Sequence, residues 1–188
     1  VALSINELKS GITILVDGHV YMIIDSQHIK PGKGAAFCRA KMRNLKNNNV
    51  LEQTFRGDEK LEEAYIEERK LQYQYSSGDM YHFMDNDNYE DVAIAKESLA
   101  DKVKFLKDNI EVSAYYYKDG VLYVSLPNFV EYKIIHTEPG VKGDTAKSGT
   151  KPATIDTGAL VQVPLFIDIG DSIKVDTRTG AYIERANR

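Results

Sequence analysis

At 188 residues, with 43% apolar and 28% charged side chains, the chain has an ordinary soluble composition and room for one to three small domains. No apolar run approaches the ~20 residues needed to span a bilayer. No basic stretch followed by an apolar core marks the first residues for export, and Cys38, the single cysteine, has no partner for a disulfide. A cytoplasmic protein is expected.

The net charge of −4 excludes a generic nucleic-acid coat, but the charge is unevenly spread. Residues 1–63 carry nine Lys/Arg against eight Asp/Glu, residues 64–127 seven against twelve, and residues 128–188 eight of each. Between Asp25 and Glu52 every charged residue is basic: Lys30, Lys33, Arg39, Lys41, Arg43 and Lys46. A basic stretch on an acidic chain points to one anionic contact surface at a defined place, or to a solvated face.

In chain order the pattern is mostly β. Strands over 12–16 and 19–24 flank Asp17-Gly18, a two-residue turn whose residues accept positive φ. Pro31-Gly32-Lys33-Gly34 is too glycine-rich for strand or helix. Residues 36–42 alternate, with Ala36, Cys38, Ala40 and Met42 on one face and Phe37, Arg39, Lys41 and Arg43 on the other. Asn47-Asn48-Asn49 makes the next turn, and residues 50–55 close a first unit. The charged stretch 57–63 is expected to be loop-like, giving a first domain of residues 1–63 with a tip loop at 30–35.

A second domain, 64–127, is expected to hold strands near 64–75, 80–85, 89–94, 111–117 and 121–126. One helix is expected between them over Lys96–Leu106, with Leu99, Val103 and Leu106 at helical spacing. Five strands with a helix before the fourth indicate a barrel of the OB kind. The third domain, 128–188, repeats the theme with strands over 129–137, 153–157, 159–166, 172–176 and 181–185, without a residue-level repeat. Its loop from Glu138 to Lys151 is longer than ordinary barrel connections, which favours a functional role.

Most catalytic chemistry is not indicated. The four histidines are scattered and Cys38 stands alone on an apolar face, so no metal or cofactor is expected. Gly140 to Ser148 mimics a phosphate-binding loop, but Ala146 stands where the second glycine is required. The acidic cluster of Asp85, Asp87, Glu90 and Asp91 and the run Tyr115-Tyr116-Tyr117 read as structural. Lys33 is different. Between two glycines it has no large neighbour to cover it, so its ammonium stands at a hairpin tip. Alone, such a turn most often means a solvated lysine. A Schiff-base role fits poorly, because an exposed tip offers little desolvation to lower the pKa.

Lys30-Pro31-Gly32-Lys33-Gly34-Ala35-Ala36-Phe37, followed by Arg39, Lys41, Arg43, Asn44 and Leu45, resembles the first-domain loop and strand of the bacterial elongation factor P family. About 120 residues later, Lys151, Ala153, Gly158, Val161, Val163-Pro164, Phe166-Ile167-Asp168 and Gly170 fit that family's signature. Thr137–Thr145 is also similar, so the resemblance runs the full length. Cys38 stands where Val or Ala is usual, and Asn47-Asn48-Asn49 where a glycine turn is common.

The resemblance implies an all-β fold of three small barrels in an elongated L-shape: an SH3-like (KOW) domain and two OB-type domains, with one short helix in the middle one. It implies a translation factor without enzymatic activity, bound to the 70S ribosome and its rRNA between the P and E sites; a monomer is the default expectation. There Lys33, shaped by Pro31, Gly32 and Gly34 and open to a lysine-modifying enzyme, would reach toward P-site peptidyl-tRNA and promote peptide-bond formation at consecutive prolines. Lys30, Arg39, Lys41 and Arg43 are candidate RNA contacts, and Gly143, Asp144 and Thr145 lie in the third-domain loop. The alternatives are a non-ribosomal nucleic-acid-binding SH3/OB protein and an enzyme with a nucleophilic lysine.

Overall fold

A computed structural model describes residues 2–140 and 149–186 of the chain. Strands β1 (Ala2–Leu3), β2 (Thr13–Val16), β3 (His19–Ile29), β4 (Phe37–Asn44), β5 (Val50–Arg56) and β6 (Leu61–Glu63) form one sheet, ordered β1-β6-β2-β3-β4-β5. Asp17 and Gly18 both take positive φ, 49° and 77°, which matches the twist of the β2–β3 hairpin. Asn48 turns the chain between β4 and β5 with φ 61°, while the Asn44 side chain accepts the backbone N–H groups of Lys46 and Asn47. The alternation on β4 is realised: Cys38, Ala40 and Met42 are fully buried, against Ile14, Ile23 and Phe55. Burial pushes the Cys38 thiol up, as for a small core residue.

The second sheet contains β7 (Ile66–Ser77), β8 (Met80–Asp85), β9 (Asp91–Ala95), β10 (Glu111–Tyr117) and β11 (Gly120–Ser125), ordered β11-β10-β7-β8-β9. The third contains β12 (Phe129–Thr137), β13 (Thr150–Ile155), β14 (Leu160–Pro164), β15 (Ser172–Asp176) and β16 (Ala181–Arg185), ordered β14-β13-β12-β15-β16. The two sheets share one plan. In each, the first strand is central, flanked by the second and fourth, with the third and fifth outermost. That common wiring exists without a residue-level repeat, and the architecture is all-β apart from short helical segments, as expected.

Several details differ from expectation, among them a strand β13 that begins at Thr150, inside the expected loop to Lys151. Leu61–Glu63 is strand, not loop, because it is held between β1 and β2 by pairs such as Leu3 with Leu61 and Leu15 with Glu62. β3 runs five residues past the expected end, bulging at Ile24 and pairing with β4 as far as Ile29 with Phe37. The single helix expected over Lys96–Leu106 is a short α-helix, α1 (Lys96–Leu99), followed by a 3₁₀ segment from Ala100 to Phe105. Ala100 breaks it: its φ of 50° lies outside the right-handed helical region, so an α-helix cannot run through it.

By contacts the chain falls into two units. One comprises residues up to Glu68 together with Ala114–Tyr123. Within it a second apolar cluster, Val20, Leu45 and Ala64, is covered by Ile66, Tyr117, Leu122 and Tyr123. The other comprises Arg69–Ser113 and the residues from Val124 on. In that unit Tyr132 is buried and its hydroxyl donates to the Phe105 carbonyl at 2.7 Å, while the Thr157 hydroxyl donates to that of Lys104 at 2.6 Å. Burial, with a smaller contribution from Asp156, raises the Tyr132 phenol.

Candidate functional site on the β3–β4 hairpin

The longest hairpin of the first sheet carries Lys33. Its last cross-strand pair is Ile29 with Phe37, and residues Lys30 to Ala35 between them are exposed, Lys33 included. Gly34 has φ 112°, a conformation that L-residues avoid, and the Pro31 ring lies 3.8 Å from where a Gly34 Cβ would stand. Gly32 has open space around it and no positive φ. Of the two glycines flanking the lysine, only Gly34 is required by backbone geometry.

The arm that bears this loop is braced at its foot. β4 is paired on both sides along its length, with β3 and with β5 up to Phe37 opposite Arg56. The Leu8 carbonyl receives the Ser26 hydroxyl at 2.9 Å and lies 3.0 Å from His28 Nε2. Across the arm, a Cβ on Gly57 would stand 3.0 Å from the Ala36 carbonyl oxygen, so the turn after β5 runs against the loop's descending side. Ser26, His28, Leu8 and Gly57 are absent from the sequence-based set. Only the placement of Ser26 and His28 two residues apart hints at one strand face.

Arg39, Lys41 and Arg43 are all exposed and alternate along β4. Their neighbours temper the basic face. Asp25 of β3 and Glu52 of β5 both sit opposite Lys41, and Arg39 Nε lies 3.5 Å from Glu52. Such exposed pairs are worth about 0–1 kcal/mol, so these cations remain exchangeable for a stronger anion. Lys30 is exposed beside the tip.

In the third sheet, Gly143, Asp144 and Thr145 lie outside the described residues. The feet of their loop are described, and both are fixed. Buried Lys151 donates from Nζ to the Glu138 carbonyl at 2.7 Å, and a Cβ on Gly140 would stand 2.5 Å from the Leu165 carbonyl oxygen. Gly158 and Gly170 of the signature have φ 88° and 90°, and Val161, Val163 and Ile167 are core. Among the described residues no group of three or more His, Cys, Asp or Glu side chains is placed to hold a metal.

Three family models match the chain: the elongation factor P KOW-like domain over residues 4–61, its OB domain over 66–124, and the elongation factor P C-terminal domain over 130–185. A protein named elongation factor P from Moorella thermoacetica is 50% identical over 184 residues, covering 98% of this chain and all of its own. Its namesake from Natranaerobius thermophilus is 53% identical over 180 residues, 96% of each. A solved structure of eukaryotic translation initiation factor 5A from Methanococcus jannaschii shares the fold, with a TM-score of 0.53 at 24% identity, over 68% of this chain and 92% of that one.

Proposed function

The chain belongs to the elongation factor P family and is a translation factor, and on that premise we propose that it acts on the ribosome between the P and E sites, using Lys33 to position peptidyl-tRNA. The observation that carries this reading is an exposed lysine at the tip of a two-stranded arm fixed at its foot. A braced arm delivers a cation to a chosen place at low entropic cost. The three sheets serve as three domains, 1–63, 64–127 and 128–188.

Proline is a slow nucleophile in peptide-bond formation because its ring restricts the approach of its nitrogen. Holding the reacting ends in line recovers part of the roughly 7–11 kcal/mol that orientation can supply. A factor that only positions the tRNA end needs no acid, base or metal of its own. Lys33 fits contact with the RNA phosphates of an acceptor end, either as it stands or after extension by a lysine-modifying enzyme. Lys30, Arg39, Lys41 and Arg43 supply the neighbouring phosphate contacts, and the loop holding Gly143, Asp144 and Thr145 makes a second contact in the E site.

Translation of a reporter encoding consecutive prolines tests the proposal. Lys33→Ala is expected to abolish stimulation while thermal melting stays unchanged. Full stimulation by that variant would overturn the role of Lys33. Co-sedimentation with 70S ribosomes tests the site of action, and selective binding to free single strands would overturn it.

A further inference from the structure

Beside the segment that joins the first and second sheets, the unit of residues up to Glu68 and Ala114–Tyr123 has an open groove of about 330 Å³. This lies at the lower end of the ~300–1,000 Å³ range of ligand pockets. Its walls are aromatic and acidic. Tyr115 and Tyr123 stack face to face, with centroids 4.4 Å apart and planes within 8°. Tyr65 is 63% exposed at the rim and donates its hydroxyl to Glu63 at 3.0 Å. Met22 and Glu68 complete the chemistry, and no lysine or arginine is among the described residues that line the groove.

We propose that this groove is a docking site for an arginine side chain presented by a basic peptide segment of a protein partner. Aromatic faces attract cations by about 0.5–2 kcal/mol, more as the site is desolvated. A carboxylate at the rim adds a charge-assisted, bidentate partner for a planar guanidinium. Glu63 accepts one bond from Tyr65 and keeps lone pairs for more. Burial first, then neighbouring Tyr115 and Glu68, raises the Tyr123 phenol to about 12, so this ring stays an uncharged aromatic face.

The same surface already takes a cation of its own. Next to this groove lies a second one that shares Tyr65 and Glu63, and there Lys118 Nζ rests 5.3 Å from the centre of the Tyr117 ring. The acidic walls repel phosphates, which disfavours a nucleic acid as the occupant despite the stacked rings. The inference does not depend on the role proposed for Lys33, which lines no part of the groove.

Calorimetric titration of the full chain with a synthetic decapeptide bearing three arginines is the test, with its citrulline counterpart, spermidine and an adenine decaribonucleotide as comparisons. The arginine peptide is expected to bind and the citrulline peptide to fail. Tyr65→Ala and Glu63→Gln, both at partly exposed positions, are each expected to weaken binding about tenfold, and Lys33→Ala to leave it unchanged. Amide shifts of the wild-type protein on titration should cluster at Tyr65, Ile66 and Tyr115, which keeps the test decisive if a variant misfolds. Unchanged affinity in the folded variants, shifts elsewhere, or tighter groove-dependent binding of spermidine or the RNA would each overturn the proposal.

Discussion

His28 Nε2 lies 3.0 Å from the Leu8 carbonyl oxygen, and this one contact, doubled by Ser26, ties the long hairpin to the 3₁₀ turn at Ile5–Glu7. In the tautomer with hydrogen on Nε2, the ring donates. Removing either donor costs about 0.5–1.5 kcal/mol. His28→Ala and Ser26→Ala are therefore expected to lower the denaturation midpoint slightly and to speed amide exchange over residues 25–29. The polyproline reporter should fall with the double variant although Lys33 is intact.

The two tip glycines should respond differently. Gly34→Ala forces a side chain into φ 112° and is expected to cost about 1–3 kcal/mol. Gly32→Ala meets open space and no positive φ, so stability should hold or rise by about 0.4–1 kcal/mol as the unfolded chain loses freedom. Urea denaturation of the two variants checks the sign of each change.

At the foot of the third-sheet loop, Lys151→Met leaves the Glu138 carbonyl without its charged donor. A loss of about 1.5–3 kcal/mol is expected. Gly140→Ala must push the Leu165 backbone aside and should destabilise as well. Proteolysis within residues 138–151 should accelerate in both, measured as the rate of appearance of the cleaved chain.

Alkaline pH should expose the buried phenols. The Tyr123 phenol is raised to about 12 in the fold against an ordinary value near 10, so its folded form favours the proton. The stabilisation is complete below pH 10 and is lost as pH rises from 10 toward 12. Melting temperatures are expected to fall across that window, less steeply in Tyr123→Phe. Tyr132→Phe should in addition lose stability at neutral pH, because it removes the donor to the Phe105 carbonyl.

The strands with alternating burial were legible in the sequence. Residues 38, 40 and 42 on β4, and residues 129–134 of β12, carry a period-two signal that local residues set by themselves. The far end of β3 is different. Asp25-Ser26-Gln27-His28 has no apolar rhythm, and it is a strand because β4 pairs with it. Leu61–Glu63 has one apolar residue among charges, and pairing with distant β1 and β2 makes it a strand. Leu99 and Leu106 suit both one helix and a broken one, and the positive φ of Ala100, which no spacing of apolar residues announces, makes it the broken one. At the site, the exposed lysine and its turn are visible in the local sequence. The bonds to Leu8 and the close approach of Gly57 join residues far apart in the chain, so no local pattern reveals them.

Val20, Leu45 and Ala64 are sealed by Leu122 and Tyr123, which follow some sixty residues later in the chain. On a nascent polypeptide the first six strands therefore emerge before their last apolar cover has been made. That cluster stays wet until the β10–β11 hairpin arrives. A fragment ending near residue 64 should thus be sticky and short-lived, and lengthening it to Ser125 should cure both faults.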